Sequence, residues 1–176
     1  MMSPLEDKLL QFYASVADRE KGAAHIDENQ AYFQKLFSLA CSPKKERKHI
    51  VAAWVLEKFT LEKLALLTPI LSSFLTLVAQ QKHESKRRPM IKLLFHYCKD
   101  KKRREAINTT QRVQIVTLCF DYMLETKKAA ALAFSMKTLH FFRQHQDWIE
   151  AELQAYIEER LPNSSPGFRA VVRQIS

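Results

Sequence analysis

Two glycines in 176 residues, Gly22 and Gly167, do most to narrow what this chain can become. Sheet folds reverse direction through tight turns whose residues adopt positive φ, and glycine does so without steric cost. A sandwich, a barrel or a doubly wound sheet of this length needs many such turns, and six prolines do not replace them. The same shortage removes the glycine-rich phosphate loops of dinucleotide and P-loop folds, and the nucleophile elbow of hydrolases. Apolar residues make up 47% of the chain, so a hydrophobic core is within reach. The expectation is an all-α protein of one domain, residues 1–176.

Apolar residues recur at helical spacing almost end to end. Leu5, Leu9, Phe12, Tyr13 and Val16 mark a first helix, and the following ADREKGAAH reads as a break with Gly22 as its stop. Asp27 fits as the cap of a second helix through Tyr32, Phe33, Leu36, Phe37 and Ala40. Ser42-Pro43 ends it, and Pro43 can open a third helix through Ile50, Val51, Trp54, Val55 and Phe59, with Trp54 read as core. Thr60 fits as the cap of a fourth, in which Pro69 either kinks one long helix or restarts it. Further helices are expected over 85–98, 110–124, 127–143, 147–161 and 168–175, with KDKKRREAIN as a charged, exposed connector and NSSPG as a loop. Short connectors between such helices imply antiparallel neighbours.

Four of these helices superimpose: HIVAAWVLEKF from His49, KRRPMIKLLFHY from Lys86, AALAFSMKTLHFF from Ala130 and PGFRAVVRQI from Pro166. Aligned at their centres, positions 57, 92, 137 and 173 fall 35, 45 and 36 residues apart, with one other amphipathic helix between each pair. That is a helix-pair repeat of ~40 residues. In the order VAAWVLEKF, LLTPILSSF, KHESKRR, VTLCFDYMLE, AFSMKTLHFF and SPGFRAVVRQI, the chain resembles small HEAT-like repeat proteins, typically bacterial. The resemblance is clear from residue 46 onward; residues 1–45 would hold an N-terminal helix and the first helix of repeat one. It implies a right-handed α-α superhelix of about four HEAT-like helix pairs, and no reaction. The repeat is more distantly similar to HEAT-like DNA alkylation repair glycosylases, but no Asp falls on the four matched helices to carry base excision. An adenylosuccinate lyase label would likewise need a serine-bearing glycine loop that the chain lacks.

In such solenoids the second helix of each pair lines the concave face. The repeat alignment places Glu57, Lys92, Lys137 and Arg173 there; Arg88, His96, Phe141 and Arg169 lie one turn away, and His140 is adjacent. The expected site is therefore a basic concave face of Arg88, Lys92, His96, Lys137, His140, Arg169 and Arg173. The alternative is a solvated face that keeps the chain soluble. Between Lys82 and Lys137 there are 14 basic and 5 acidic residues, a surplus equal to the whole net charge of +9. An acidic protein or peptide is the first expected partner, and sequence-independent nucleic-acid binding is the alternative. A second basic row, Arg47-Lys48, Arg87-Arg88 and Lys127-Lys128, recurs every 40 residues at helix starts and is read as structural bridging between turns.

Catalysis is not expected. The six histidines have no zinc spacing, no buried acid pair is suggested, and no serine has a histidine in register, so neither cofactor nor metal is predicted. Cys41, Cys98 and Cys119 are far apart and suit reduced, buried thiols in a cytoplasmic protein. The N-terminus lacks a signal-peptide pattern, and the most apolar stretch, 61–79, is interrupted by Glu62, Lys63 and Pro69 and reads as core rather than a membrane span. A monomer or weak homodimer is expected.

Overall fold

The computed structural model describes residues 3–126 and 128–175. Among them are eleven α-helices, three 3₁₀ segments and no strand: α1 Pro4–Leu9, α2 Val16–Glu28, α3 Tyr32–Cys41, α4 Arg47–Leu61, α5 Leu71–Ala79, α6 Glu84–Lys99, α7 Lys101–Glu105, α8 Thr109–Glu125, α9 Ala129–Phe142, α10 Asp147–Arg160 and α11 Pro166–Ile175. The 3₁₀ segments are Leu64–Ile70, Arg143–His145 and Leu161–Asn163. In chain order, α3–α4, α5–α6, α8–α9 and α10–α11 make the four helix pairs. Packing divides the chain into two compact units, Met1–Leu93 and Leu94–Ser176.

The N-terminal region departs most from the sequence expectation. α1 is short, held by a reciprocal box in which the Glu6 N–H donates to Ser3 Oγ and the Ser3 N–H donates to Glu6 Oε2. Ser15 Oγ then accepts from the Asp18 N–H, so α2 starts where a break was expected and runs through Gly22. Gly22 is not a stop. It is buried where α2 crosses α4, and a Cβ there would stand 2.5 Å from Val55 Cγ2 and 3.4 Å from Phe12 Cδ2. Asp27 and Thr60, expected as caps, lie inside α2 and α4 instead.

α4 is the central element of the first unit, touching α1, α2 and α3. Val51, Ala52, Val55 and Leu56 are buried along it, with Ile26, Leu36 and Phe37 against them. On the α2 side, Lys58 pairs with Glu20 at 3.1 Å and Lys63 pairs with Asp27. After α4 the axis turns by 111°. Pro69 sits inside the 3₁₀ segment and α5 begins beyond it at Leu71 with Ile70 at its cap, so Pro69 neither kinks one long helix nor opens the next as its first residue.

α6 carries Pro89 in its interior. Proline has no N–H, so the carbonyl one turn earlier loses its helical donor. That carbonyl belongs to Ser85, and the Trp54 indole N–H donates to it at 3.0 Å. Trp54 is half-buried for this reason rather than a simple core residue.

In the second unit α8 and α9 pack together, and α10 and α11 pack on α9. α8 opens on a box between Asn108 and Gln111. Its buried side, with Ile115, Cys119, Tyr122 and Met123, meets Met136, Leu139 and Phe142 of α9 in the core. Phe168, Val171 and Ile175 bury one face of α11, and the Phe168 ring lies 6.5 Å from that of Tyr156. The expected charged connector is a short helix, α7, because Asp100 Oδ1 accepts from the Arg103 N–H at 2.8 Å and nucleates it.

All three cysteines are buried and unbridged. Burial pushes the Cys41 and Cys119 thiols up to about 12 and raises that of Cys98 as well. Among the described residues, no single helix is long and apolar enough to cross a membrane.

Gly22→Ala is expected to destabilise the protein by about 1–3 kcal/mol in thermal melts, because overpacking outweighs the ~1 kcal/mol helix-propensity gain. Val55→Ala in the same chain is expected to recover part of the loss.

Glu6 also faces Lys48 at 3.0 Å, and its carboxyl is held down to about 2, first by the Ser3 backbone donor, then by the Ser3 hydroxyl and Lys48. A carboxylate depressed in the folded state stabilises above its ordinary value and loses that contribution as pH falls through the folded one. The melting-temperature gap between wild type and Glu6→Gln is therefore expected to be full above pH 4.5 and to close as pH approaches 2.

Candidate functional site

The seven residues nominated by the repeat spacing occupy three settings. In the first unit, the alignment of Glu57 with Lys92 is a contact: Lys92 Nζ lies 2.5 Å from Glu57 Oε1. Glu57 is only 3% exposed and its other oxygen is enclosed without a partner. A buried carboxylate needs a counter-charge, so Lys92 is tied inward and its side chain is 29% exposed. Arg88, one turn earlier on α6, is half-buried, and among the described residues no carboxylate lies within ion-pair reach of it.

The second setting lies on the later half of α6 and on α9. His96 is half-buried, with ring contacts to Phe95 at 5.0 Å and Phe134 at 6.3 Å. Phe95 stacks on Phe141 at 5.9 Å, and the Arg104 guanidinium lies over Phe141 at 4.9 Å. Lys137 is half-buried between Phe134 and Phe141 by helical spacing, with no ion pair among the described residues. His140 is half-buried with Nδ1 enclosed and unpartnered. Burial first, then the Arg143 charge, lower the pKa of its imidazole.

The third setting is α11. Arg169 and Arg173 are exposed, and both line an open groove of about 570 Å³ whose other walls are Leu161, Pro162, Val172 and Glu158. Arg169 Nε donates to Ser164 Oγ at 3.3 Å. Among the described residues, neither guanidinium makes an ion pair. Here two of the nominated cations share a pocket with exposed apolar surface, since Leu161 is 39% exposed.

Of the second basic row, Arg47, Lys48 and Arg87 are held against the fold, whereas Arg88 and Lys128 make no ion pair among the described residues. Arg47 donates to the Phe12 carbonyl at 3.1 Å and covers the Tyr13 ring at 4.5 Å; Lys48 pairs with Glu6; Arg87 is 7% exposed. Lys127 lies outside the described residues. The sequence reading missed Lys86, which it counted only as bulk charge. That side chain is fully buried, and its ammonium donates to the carbonyls of Ser42 and, at 3.2 Å, Lys44; burial lowers its basicity. The available signal was distance: Lys86 lies 44 residues, about one repeat, beyond Ser42.

Among the described residues no three histidine, cysteine or acidic side chains stand together as a metal set. The thiols are enclosed and raised in pKa, the wrong direction for a nucleophile.

Short amphipathic helices repeating in pairs, with contacts between residues one period apart, define a helical-repeat protein. The chain belongs to the HEAT repeat domain family, which it matches over residues 7–176. The match takes in α2 and α3, which the spacing of the second helices did not reach. No curated protein and no solved structure matches the sequence. HEAT repeats generally act as protein-interaction scaffolds, and membership supports a non-enzymatic role.

Lys92→Met is expected to cost about 3 kcal/mol in urea unfolding, near the lower end for a broken buried pair because the ammonium keeps some water. Glu57→Leu combined with Lys92→Met is expected to be nearly neutral, since no charge is then left enclosed.

Proposed function

We propose that the protein is a non-catalytic interaction scaffold that receives an acidic segment of another protein, with Arg169 and Arg173 as its principal anchors. The reading rests on one observation: two guanidinium groups that make no ion pair among the described residues share a groove with Leu161, Pro162 and Val172. Arginine beside exposed apolar surface is the combination that concentrates binding energy in protein interfaces. Its planar fork matches a carboxylate in a bidentate way. Glu158, on the same groove, favours a ligand that places its carboxylates toward the α11 side. Arg88 and Lys137, also without ion pairs among the described residues, extend the acidic preference to their own helices. Three unbridged thiols fit a reducing compartment, and we place the protein in the cytoplasm.

Nucleic acid is the second reading, favoured by Lys137, which makes no ion pair among the described residues and can meet a phosphate. Salt separates the two. Each neutralised phosphate of duplex DNA adds about −0.9 to the log–log slope of affinity against salt.

The test is fluorescence anisotropy with a labelled peptide of alternating glutamate and leucine, and with a labelled DNA duplex. The peptide is expected to bind, and Arg169→Glu with Arg173→Glu to weaken it at least tenfold. Both residues are exposed, so each change should alter stability by no more than about 0.5 kcal/mol. Tight duplex binding with a slope steeper than about −3, and none of the peptide, would replace the protein reading with the nucleic-acid one.

A further inference from the structure

α8 buries Ile115, Val116, Leu118, Cys119, Tyr122 and Met123. The opposite side of such a helix is ordinarily polar. Here it carries Val113, Phe120 and Leu124, at steps of seven and four residues that align them in one stripe. Val113 is 52% exposed and Leu124 65%. Trp148, in the first turn of α10, sets its ring 5.7 Å from that of Phe120 and is still 48% exposed. Val113 and Trp148 also border a narrow cleft of about 80 Å³ between the two helices. Phe120 itself is half-buried, so the exposed apolar side chains are Val113, Leu124 and Trp148; exposed apolar surface of this kind marks interaction sites, and tryptophan is the residue most often at their energetic centre.

The charges beside the stripe run against the chain's net +9. Asp121 follows Phe120 and lies three residues before Leu124; Glu152 lies one turn after Trp148. Both are exposed, and among the described residues neither makes an ion pair. The basic residues nearby are Arg112, which lines the cleft with Val113 and Trp148 but whose Nη2 is turned to the Ile107 carbonyl at 3.4 Å, and Lys128 beyond the last turn. From Val113 to Leu124 the stripe is about 16 Å long, three helical turns. That length and spacing suit the i, i+4, i+7 anchors of a docked helix.

We propose that the outer face of α8, with Trp148, docks an amphipathic helix of another protein whose apolar ridge is flanked by lysine or arginine. This surface is separate from the arginine groove and opposite in sign. A HEAT module so equipped joins two partners, an acidic one and a basic one.

The test reads the tryptophan emission of the full chain, with Trp148→Phe as the control that isolates the Trp148 signal from that of Trp54. Two synthetic helical peptides share one leucine pattern, one flanked by lysines and the other by glutamates. The lysine peptide is expected to shift Trp148 emission to the blue and to saturate, although the protein's net charge opposes it. Leu124→Glu is expected to weaken that binding at least tenfold, and so is Asp121→Lys with Glu152→Lys. Three results overturn the proposal: no emission shift with either peptide, a response to the glutamate peptide equal to or tighter than to the lysine one, or peptide-independent dimerisation that Leu124→Glu abolishes. The last result would assign the stripe to a second copy of the chain. Arg169→Glu with Arg173→Glu should leave the Trp148 response unchanged, so a failure of the groove reading is visible separately.

Discussion

Stacking helices buries their ends, and a helix end carries carbonyls that its own backbone cannot satisfy. The structure answers this from one period further along the chain. The Cys41 carbonyl, at the end of α3, accepts from Gln81 Nε2 at 2.6 Å, 40 residues on and just beyond α5. The Met123 carbonyl, near the end of α8, accepts from the Tyr156 hydroxyl at 3.0 Å, 33 residues on and within α10. Lys86 extends the first of these by donating to Ser42 and Lys44, in the turn that follows Cys41. Within each unit, then, one first helix is finished by a donor at or just beyond the next. A buried polar group left unpaired costs about 1–3 kcal/mol, so these few donors add to the apolar contacts in holding successive helices in register.

The same period governs charge. Glu57 and Lys92 occupy equivalent places on successive second helices and neutralise each other, 35 residues apart. A repeat read from sequence shows that equivalent residues align, but not whether they point at solvent or at one another. That distinction is made by burial, and Glu57 sits on the buried side of a helix whose neighbours Val55 and Leu56 are enclosed. A row of like charges along a solenoid can stand free, whereas a row that alternates in sign can become internal.

How much was legible follows from which signals are local. Helix identity was, because apolar spacing is strong from Val51 to Phe59 and from Ile115 to Met123 and glycine is too scarce to compete. The helix-pair period was too, because only position was needed. Gly22 was misread because a glycine ends a helix or lets two helices approach with equal ease in sequence; only Val55, 33 residues away, decides between them. Pro89 was silent because the carbonyl it frees is met by Trp54, from another helix. Of the site residues, Arg169 and Arg173 gained meaning from Leu161 and Pro162, which lie outside the repeat pattern. The apolar side of α8 was visible as spacing, but nothing in the sequence says which side of an amphipathic helix has run out of neighbours.

The enclosed cysteines carry a consequence for how the molecule ages. Sulfur chemistry needs both a thiolate and a path to it, and here burial withholds both. Cys41 belongs to one unit and Cys98 and Cys119 to the other, so each half contains its own dormant sulfur. A peroxide or an alkylating agent can reach these atoms only through a molecule that has already come apart locally. Thiol damage in this protein is therefore a record of past opening, written separately for each half, and not a cause of it.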